Sequence, residues 1–176
     1  MATMILLPTS ASGHTSHWVA VGEGTHHDCL DDDNGDTSYV KCSNNFRRLD
    51  LGFADPSVAE GDIASIDSVR FLSSGRSTHR TTGSAVAVAF IDPLGNVLET
   101  VTYDPHASSY EVINGTPRST SDGAGGTDWT YDNLEDLGMR LTKSGTIEVY
   151  LSYFVMEVTY TEAVTADNAT FFGANF

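Results

Sequence analysis

The chain has 176 residues and carries 24 acidic against 9 basic side chains, for a formal net charge of −15 at pH 7. That length fits one domain, and 40% hydrophobic residues suffice for a core with no metal or disulfide staple. The charge argues against nucleic acid and anionic membranes as partners, since both need clustered Lys and Arg, and no apolar run approaches the roughly 20 residues that span a bilayer.

The chain opens with an apolar run, Met4-Ile5-Leu6-Leu7, stopped by Pro8 and without a basic flank, so it does not read as a secretory signal. It is expected to be an N-terminal arm over residues 1–15, with Ile5, Leu6 and Leu7 crossing to a neighbouring subunit. His14, His17, His26 and His27 follow, and with Cys29 and Cys42 they contain the donor types of a zinc shell. The spacing lacks a second short chelating pair, so exposed loop histidines and two thiols are the expectation. Asp28 to Thr37 is oxygen-rich, and Asp32, Asn34 and Asp36 alternate like the start of a calcium loop. Gly35 is out of that loop's register and no bidentate glutamate follows, so a solvated acidic turn is expected and no cofactor is assigned.

Short β-prone runs, each bounded by Gly, Asn, Asp, Ser or Pro, occur at His17–Val21, Ser38–Cys42, Phe46–Leu51, Ile63–Leu72, Ser84–Ile91, Val97–Tyr103 and Tyr110–Ile113. Asp92-Pro93-Leu94-Gly95-Asn96 predicts a hairpin turn between two of them. Gly115 to Asp128 reads as a long surface loop. Thr130 to Leu137 reads as a helix of one to two turns, N-capped by Thr130 and stopped by Gly138. The strongest signal is Thr146–Tyr160, one long strand whose second half is apolar on both faces. The predicted architecture is an antiparallel, jelly-roll-like β-sandwich over residues 16–161 with one short connecting helix. Trp18, Trp129, Leu134 and Leu137 are its structural caps. Residues 162–176 form a tail whose Phe171, Phe172 and Phe176 are expected to dock on the same or a neighbouring subunit.

No Gly-x-Ser-x-Gly elbow, phosphate-binding glycine loop or His-Glu-x-x-His motif is present, so no catalytic residue is assigned and the chain is expected not to be an enzyme. The ordered residues Trp18, Val21, Asp31-Asp32-Asp33, Thr37-Ser38-Tyr39-Val40, Phe46, Leu49, Ile63 and Ser68-Val69-Arg70 carry a resemblance, continued by Asp128-Trp129-Thr130, Leu134, Leu137-Gly138-Met139 and the strand Ile147 to Tyr160. In this order they resemble phage and virus β-sandwich structural proteins of the capsid decoration, cement, head-fibre or tail-associated kind. The resemblance implies a non-enzymatic homo-oligomer, a trimer in the usual case, bound to the major capsid protein or another virion protein on the capsid exterior. The alternative is a carbohydrate-binding sandwich module, or a tail-associated adhesion subunit, using Trp129, Tyr131 and nearby acids, with calcium at Asp32 to Asp36 as an option and an exposed tryptophan as its platform.

Overall fold

The computed structural model describes residues 1–78, 86–91, 97–103, 109–121 and 127–164, with side chains of 98–103 excepted. The strands in chain order are β1 (Ala2–Leu6), β2 (Pro8–Gly13), β3 (Trp18–Val21), β4 (Tyr39–Cys42), β5 (Arg47–Phe53), β6 (Ile63–Ser77), β7 (Val86–Ile91), β8 (Val97–Tyr103), β9 (Glu111–Val112), β10 (Gly138–Lys143) and β11 (Val149–Glu162). A 3-10 turn, Glu60–Asp62, precedes β6 and a short helix α1, Tyr131–Glu135, precedes β10. The strands make two antiparallel sheets, so the molecule is the predicted β-sandwich.

The first sheet runs β3-β4-β11-β6-β9, with β1 also on β11, and the second runs β2-β5-β10-β7-β8. Alternation decides which residues face inward. Leu49, Leu51 and Phe53 of β5, Met139 and Leu141 of β10, and Val86, Val88 and Phe90 of β7 supply one inner face. Phe71 of β6 and Phe154 of β11 supply part of the other, stacked with centroids 5.2 Å apart. Trp18 is fully buried and its indole N–H donates to the Arg47 carbonyl at 3.2 Å. Leu134 and Leu137 are buried beside Trp129.

β11 departs from simple alternation. Its ladder with β6 pairs Leu151 with Gly75 and Tyr153 with Ser74, leaving Ser152 as an extra residue in a bulge. A one-residue slip exchanges the faces. Val149 and Leu151 point inward before the bulge, and Phe154, Met156, Val158 and Tyr160 point inward after it. The double-sided apolar pattern in the sequence therefore records, for the most part, one inner face read in two registers.

The first thirteen residues are not a free arm. β1 pairs with β11 from Ala2 opposite Tyr160 to Leu6 opposite Met156, and β2 pairs with β5. Met4 and Leu6 are buried in the chain's own core, because alternation turns them inward. Ile5 and Leu7 lie on the outer side at 40% and 43% exposure.

Residues 113–121 are likewise tied down. The Ile113 N–H donates to Ser73, Gly115 to Phe71, and Arg118 exchanges both backbone bonds with Val69, so this stretch lies along β6 where a loose surface loop was expected. Thr130 caps α1 with a complete capping box to Asn133. Asp136 ends the helix, and Gly138 instead opens β10, opposite Gly52. β7 and β8 are antiparallel neighbours. The predicted turn at 92–96 between them, and Phe171, Phe172 and Phe176, lie outside the described residues.

Candidate functional site

Both cysteines are free, buried thiols. Cys29 donates to the carbonyls of Val21 and Glu23, and Cys42 to that of Asn44. The histidines have separate partners. His14 Nδ1 accepts from the Arg48 N–H, His26 Nε2 bonds the Trp18 carbonyl, His17 meets Asn44, and His27 meets Thr25. His14 and His17 meet edge-on at 6.3 Å, but the one group of three possible metal ligands among the described residues contains no histidine or cysteine.

The acidic loop has a structural job that the sequence concealed. β6 occupies one edge of β11 along its length, so β4 and β1 share the other edge, over Val149–Leu151 and Met156–Tyr160. The loop fills the gap between them. The Phe154 N–H donates to the Leu30 carbonyl, Ser152 Oγ donates to Asp33 Oδ1 at 3.0 Å, and Leu30 is fully buried. Asp36 is held outward by Arg76 at 2.9 Å, and the Arg76 guanidinium lies over the rings of Tyr150 (3.9 Å) and Tyr110 (5.2 Å). Burial pushes the Tyr110 hydroxyl up to about 12, against the pull of Arg76.

Asp32, Asn34 and Asp36 consequently do not converge. Asn34 donates to Asp32 at 2.5 Å while Asp36 is engaged by Arg76. The carboxylates that do approach one another, within 4.8 Å among the described residues, are Glu23, Asp31 and Asp32. Desolvation and then the mutual charge raise both Glu23 and Asp31 above the ordinary carboxylate range.

Trp129 does not offer a platform either. It is 5% exposed, its indole N–H donates to the Arg118 carbonyl at 2.9 Å, and its ring meets Phe90 edge-on at 5.9 Å. Tyr131, in the first turn of α1, donates its hydroxyl to the Val58 carbonyl at 3.0 Å.

A hollow of about 170 Å³ does border Trp129, Thr130 and Tyr131, with Glu60 and residues 63–66 on its other side, and a roomier cleft lies on the outer face of the second sheet. Two rows of side chains cross that face. Ser10, Gly52, Gly138 and Ile91 stand opposite one another on β2, β5, β10 and β7, and Ser12, Asp50, Arg140 and Ala89 form the next row. The two glycines leave a trough in the first row. A Cβ on Gly52 would sit 2.5 Å from Ser10 Oγ, and one on Gly138 would sit 2.9 Å from Ile91 Cγ1. Side chains of the flanking strands lean over the space that the glycines vacate.

The second row is a charged ridge. Arg140 grips Asp50 through Nε to Oδ1 at 2.8 Å and Nη2 to Oδ2 at 3.1 Å, and Arg48 Nε stands 3.7 Å from Oδ2. Hydrogen bonding to Asp50 raises Arg140 above its already high ordinary value. With Glu135, Asp136 and Leu137 as a wall, these residues enclose about 490 Å³ of open cleft. Hydroxyl, carboxylate and guanidinium groups thus border a floor of backbone and aliphatic carbon. Such a surface can hydrogen-bond a ligand dense in hydroxyls while one of its faces rests on carbon.

No family model matches the chain, and no curated protein matches it. In fold it is similar to the CBM36-1 domain of a multidomain xylanase from the hindgut metagenome of Trinervitermes trinervoides, at 13% identity over 92% of this chain and 100% of that one, with a TM-score of 0.44. It is similar to the CBM22-1–GH10 modules of Clostridium thermocellum xylanase 10B, at 12% identity over 90% of this chain and 27% of that one, TM-score 0.47. It is also similar to the enzymatically active domain of Bacteriophage CBA120 tailspike protein 4, at 10% identity over 84% of this chain and 20% of that one, TM-score 0.43. What is shared is the two-sheet sandwich, and no residue of the cleft is carried over. The β-sandwich that the resemblance to virion structural proteins implied is present, but the resemblance itself is not supported, since these neighbours are mainly carbohydrate-binding modules.

Proposed function

We propose that this chain is a non-catalytic carbohydrate-binding β-sandwich, and that the glycan lies in the trough over Gly52 and Gly138. The observation that carries the reading is the pair of rows across the second sheet, Ser10-Gly52-Gly138-Ile91 beside Ser12-Asp50-Arg140. A pyranose needs donors and acceptors at its rim and an apolar surface under one face, and the rows supply these side by side. The Asp50–Arg140 pair is held before any ligand arrives, so little ordering cost falls on binding. No tryptophan borders the trough, so affinity comes from hydrogen bonds in place of ring stacking and is modest.

This differs from the tryptophan-platform version of the carbohydrate reading, because Trp129 is inside the core. It is also preferred to the decoration-protein reading, one of whose supports was an N-terminal arm free to cross to a neighbour. The residues of that arm are strands of the sandwich itself.

The test is a glycan array followed by amide NMR titration with whichever polysaccharide fragment binds. Shifts should centre on Gly52 and Gly138, and Gly52→Leu, which must push Ser10 Oγ aside as it fills the trough, should weaken binding at least about tenfold, with a thermal melt run alongside to show that the sandwich is retained. No binding to any glycan, or binding indifferent to Gly52→Leu, would overturn the proposal.

A further inference from the structure

Asn-Gly occurs twice in the chain, at Asn34-Gly35 and at Asn114-Gly115. An asparagine amide in front of glycine is open to attack by the next peptide nitrogen, since no Cβ shields that nitrogen and the glycine backbone turns freely. The fold treats the two pairs in opposite ways. Asn114-Gly115 lies along β6. The Gly115 N–H donates to the Phe71 carbonyl at 2.9 Å and Asn114 Oδ1 accepts from the Ser73 N–H at 3.3 Å, so the attacking and the attacked group are each fixed. A Cβ on Gly115 would stand 2.7 Å from the Phe71 ring, and the glycine is buried without room to turn. Asn34-Gly35 sits instead in an exposed turn of the acidic loop, which the Thr37 N–H closes on the Asn34 carbonyl at 3.2 Å. Gly35 is in the left-handed region at φ 59°, and a Cβ there would meet nothing within 4 Å beyond its chain neighbours. Its N–H has no hydrogen-bond partner among the described residues.

We propose that Asn34 is a site of spontaneous deamidation, selected over Asn114 by the fold, and that its conversion loosens the acidic loop from β11. The Gly35 nitrogen bonds to Asn34 Cγ, the Cγ–Nδ2 bond breaks, and ammonia departs with the proton that Gly35 gives up. Water then opens the five-membered ring at either carbonyl and leaves aspartate or isoaspartate. The consequence follows from what Asn34 holds. Its Nδ2 donates to Asp32 Oδ1 at 2.5 Å and to Glu23 Oε1 at 3.4 Å, so a neutral donor joins two of the three crowded carboxylates. Deamidation exchanges that donor for a fourth carboxylate and adds a charge to the −15 already present. Leu30 and Asp33 of the same loop accept from Phe154 and Ser152 of β11, so the new repulsion acts where the loop is seated on the strand. This inference is independent of the glycan reading, since the loop and the cleft belong to different sheets.

The experiment ages the full chain in warm, mildly alkaline buffer, with a second sample in urea, and follows both asparagines by peptide mass spectrometry. In the folded chain Asn34 should convert at least about tenfold faster than Asn114, which reacts only when its bonds to β6 open locally. In urea the two rates should come within a few-fold of each other. Asn34→Asp, made directly, should speed amide hydrogen exchange at Phe154 severalfold, and roughly 0.5 M salt should restore most of the protection by screening the added charge. Equal conversion of the two sites in the folded chain, Asn114 reacting first, or a rate difference that persists unchanged in urea would overturn the site. A Phe154 amide that exchanges alike in the parent and Asn34→Asp, or that salt does not protect, would overturn the consequence.

Discussion

Lys143 shows how a single side chain can contradict its strand. On β10 it follows Met139 and Leu141 on the inward face and is itself fully buried, with Nζ donating to the Gly145 carbonyl at 2.6 Å. Desolvation lowers its affinity for a proton, and the nearby Cys42 and Glu148 only partly oppose that. The unfolded chain therefore binds this proton more readily than the folded one, so this residue makes stability rise with pH. The penalty is present in full below the lowered folded value and disappears above the ordinary 10.5. Lys143→Met fills the same space without the charge. It should raise stability at pH 7 by about 1 kcal/mol or more, an advantage that fades in denaturant titrations taken toward pH 10.5. An equal advantage at both ends of that range would show that packing, not charge, sets the difference. The same residue obscured β10 in the sequence: a lysine where alternation asks for a third apolar residue conceals an inward face.

At the scale of elements, the bulge in β11 makes a sharp contrast available. Deleting Ser152 leaves Val149, Leu151, Phe154, Met156, Val158 and Tyr160 in strict alternation and closes the β6 ladder between Leu151 and Tyr153. The expected loss is the bond to Asp33, worth about 1 kcal/mol, and a looser acidic loop. Deleting Glu157, beyond the bulge, turns Val158 and Tyr160 outward and removes the 2.6 Å pairing with Arg70. That variant should lose its cooperative melt while the Ser152 deletion keeps one, and two similar melts would refute the account of the faces. Most strands were legible because β-branched and aromatic residues alternate in them between turn residues. β1 and β2 were not, because Met4-Ile5-Leu6-Leu7 is apolar without a break and Pro8-Thr9-Ser10-Ala11-Ser12-Gly13 is nearly featureless. Only their partners β11 and β5 reveal them as strands. The cleft was invisible for a related reason: Gly52 and Gly138 look like ordinary glycines until β5 and β10 set them side by side, and Asp50 finds Arg140 90 positions along the chain.

For the whole molecule, the dominant quantity is the unbalanced charge, and the pH at which stability peaks follows from which carboxylates resist ionisation. Glu23 and Asp31 are held above their ordinary 4.5 and 3.8, first by desolvation and then by acidic neighbours. Their ionised forms are disfavoured in the fold, so stability falls as pH rises from those ordinary values through the raised ones. Above them the full penalty remains. Asp28 has the opposite sign. The Thr25 hydroxyl donates to its Oδ2 at 2.7 Å and the Thr25 N–H at 3.0 Å, which lowers it below 3.8. Its contribution is present above 3.8 and lost as pH falls through the lowered value. The two signs bracket an optimum between the ordinary values of 3.8 and 4.5, close to the sequence isoelectric point near 4.4. In low salt the melting temperature at about pH 4.5 should exceed that at about pH 7.5 by a few degrees. Raising the salt to roughly 0.5 M should close most of that gap, by lifting the neutral-pH value more than the acidic one. Asp32→Asn, which removes one of the three crowded carboxylates, should close part of the gap without salt. A scan that peaks at or above pH 7.5 in low salt would mean that the acidic loop is already neutralised by something other than protons.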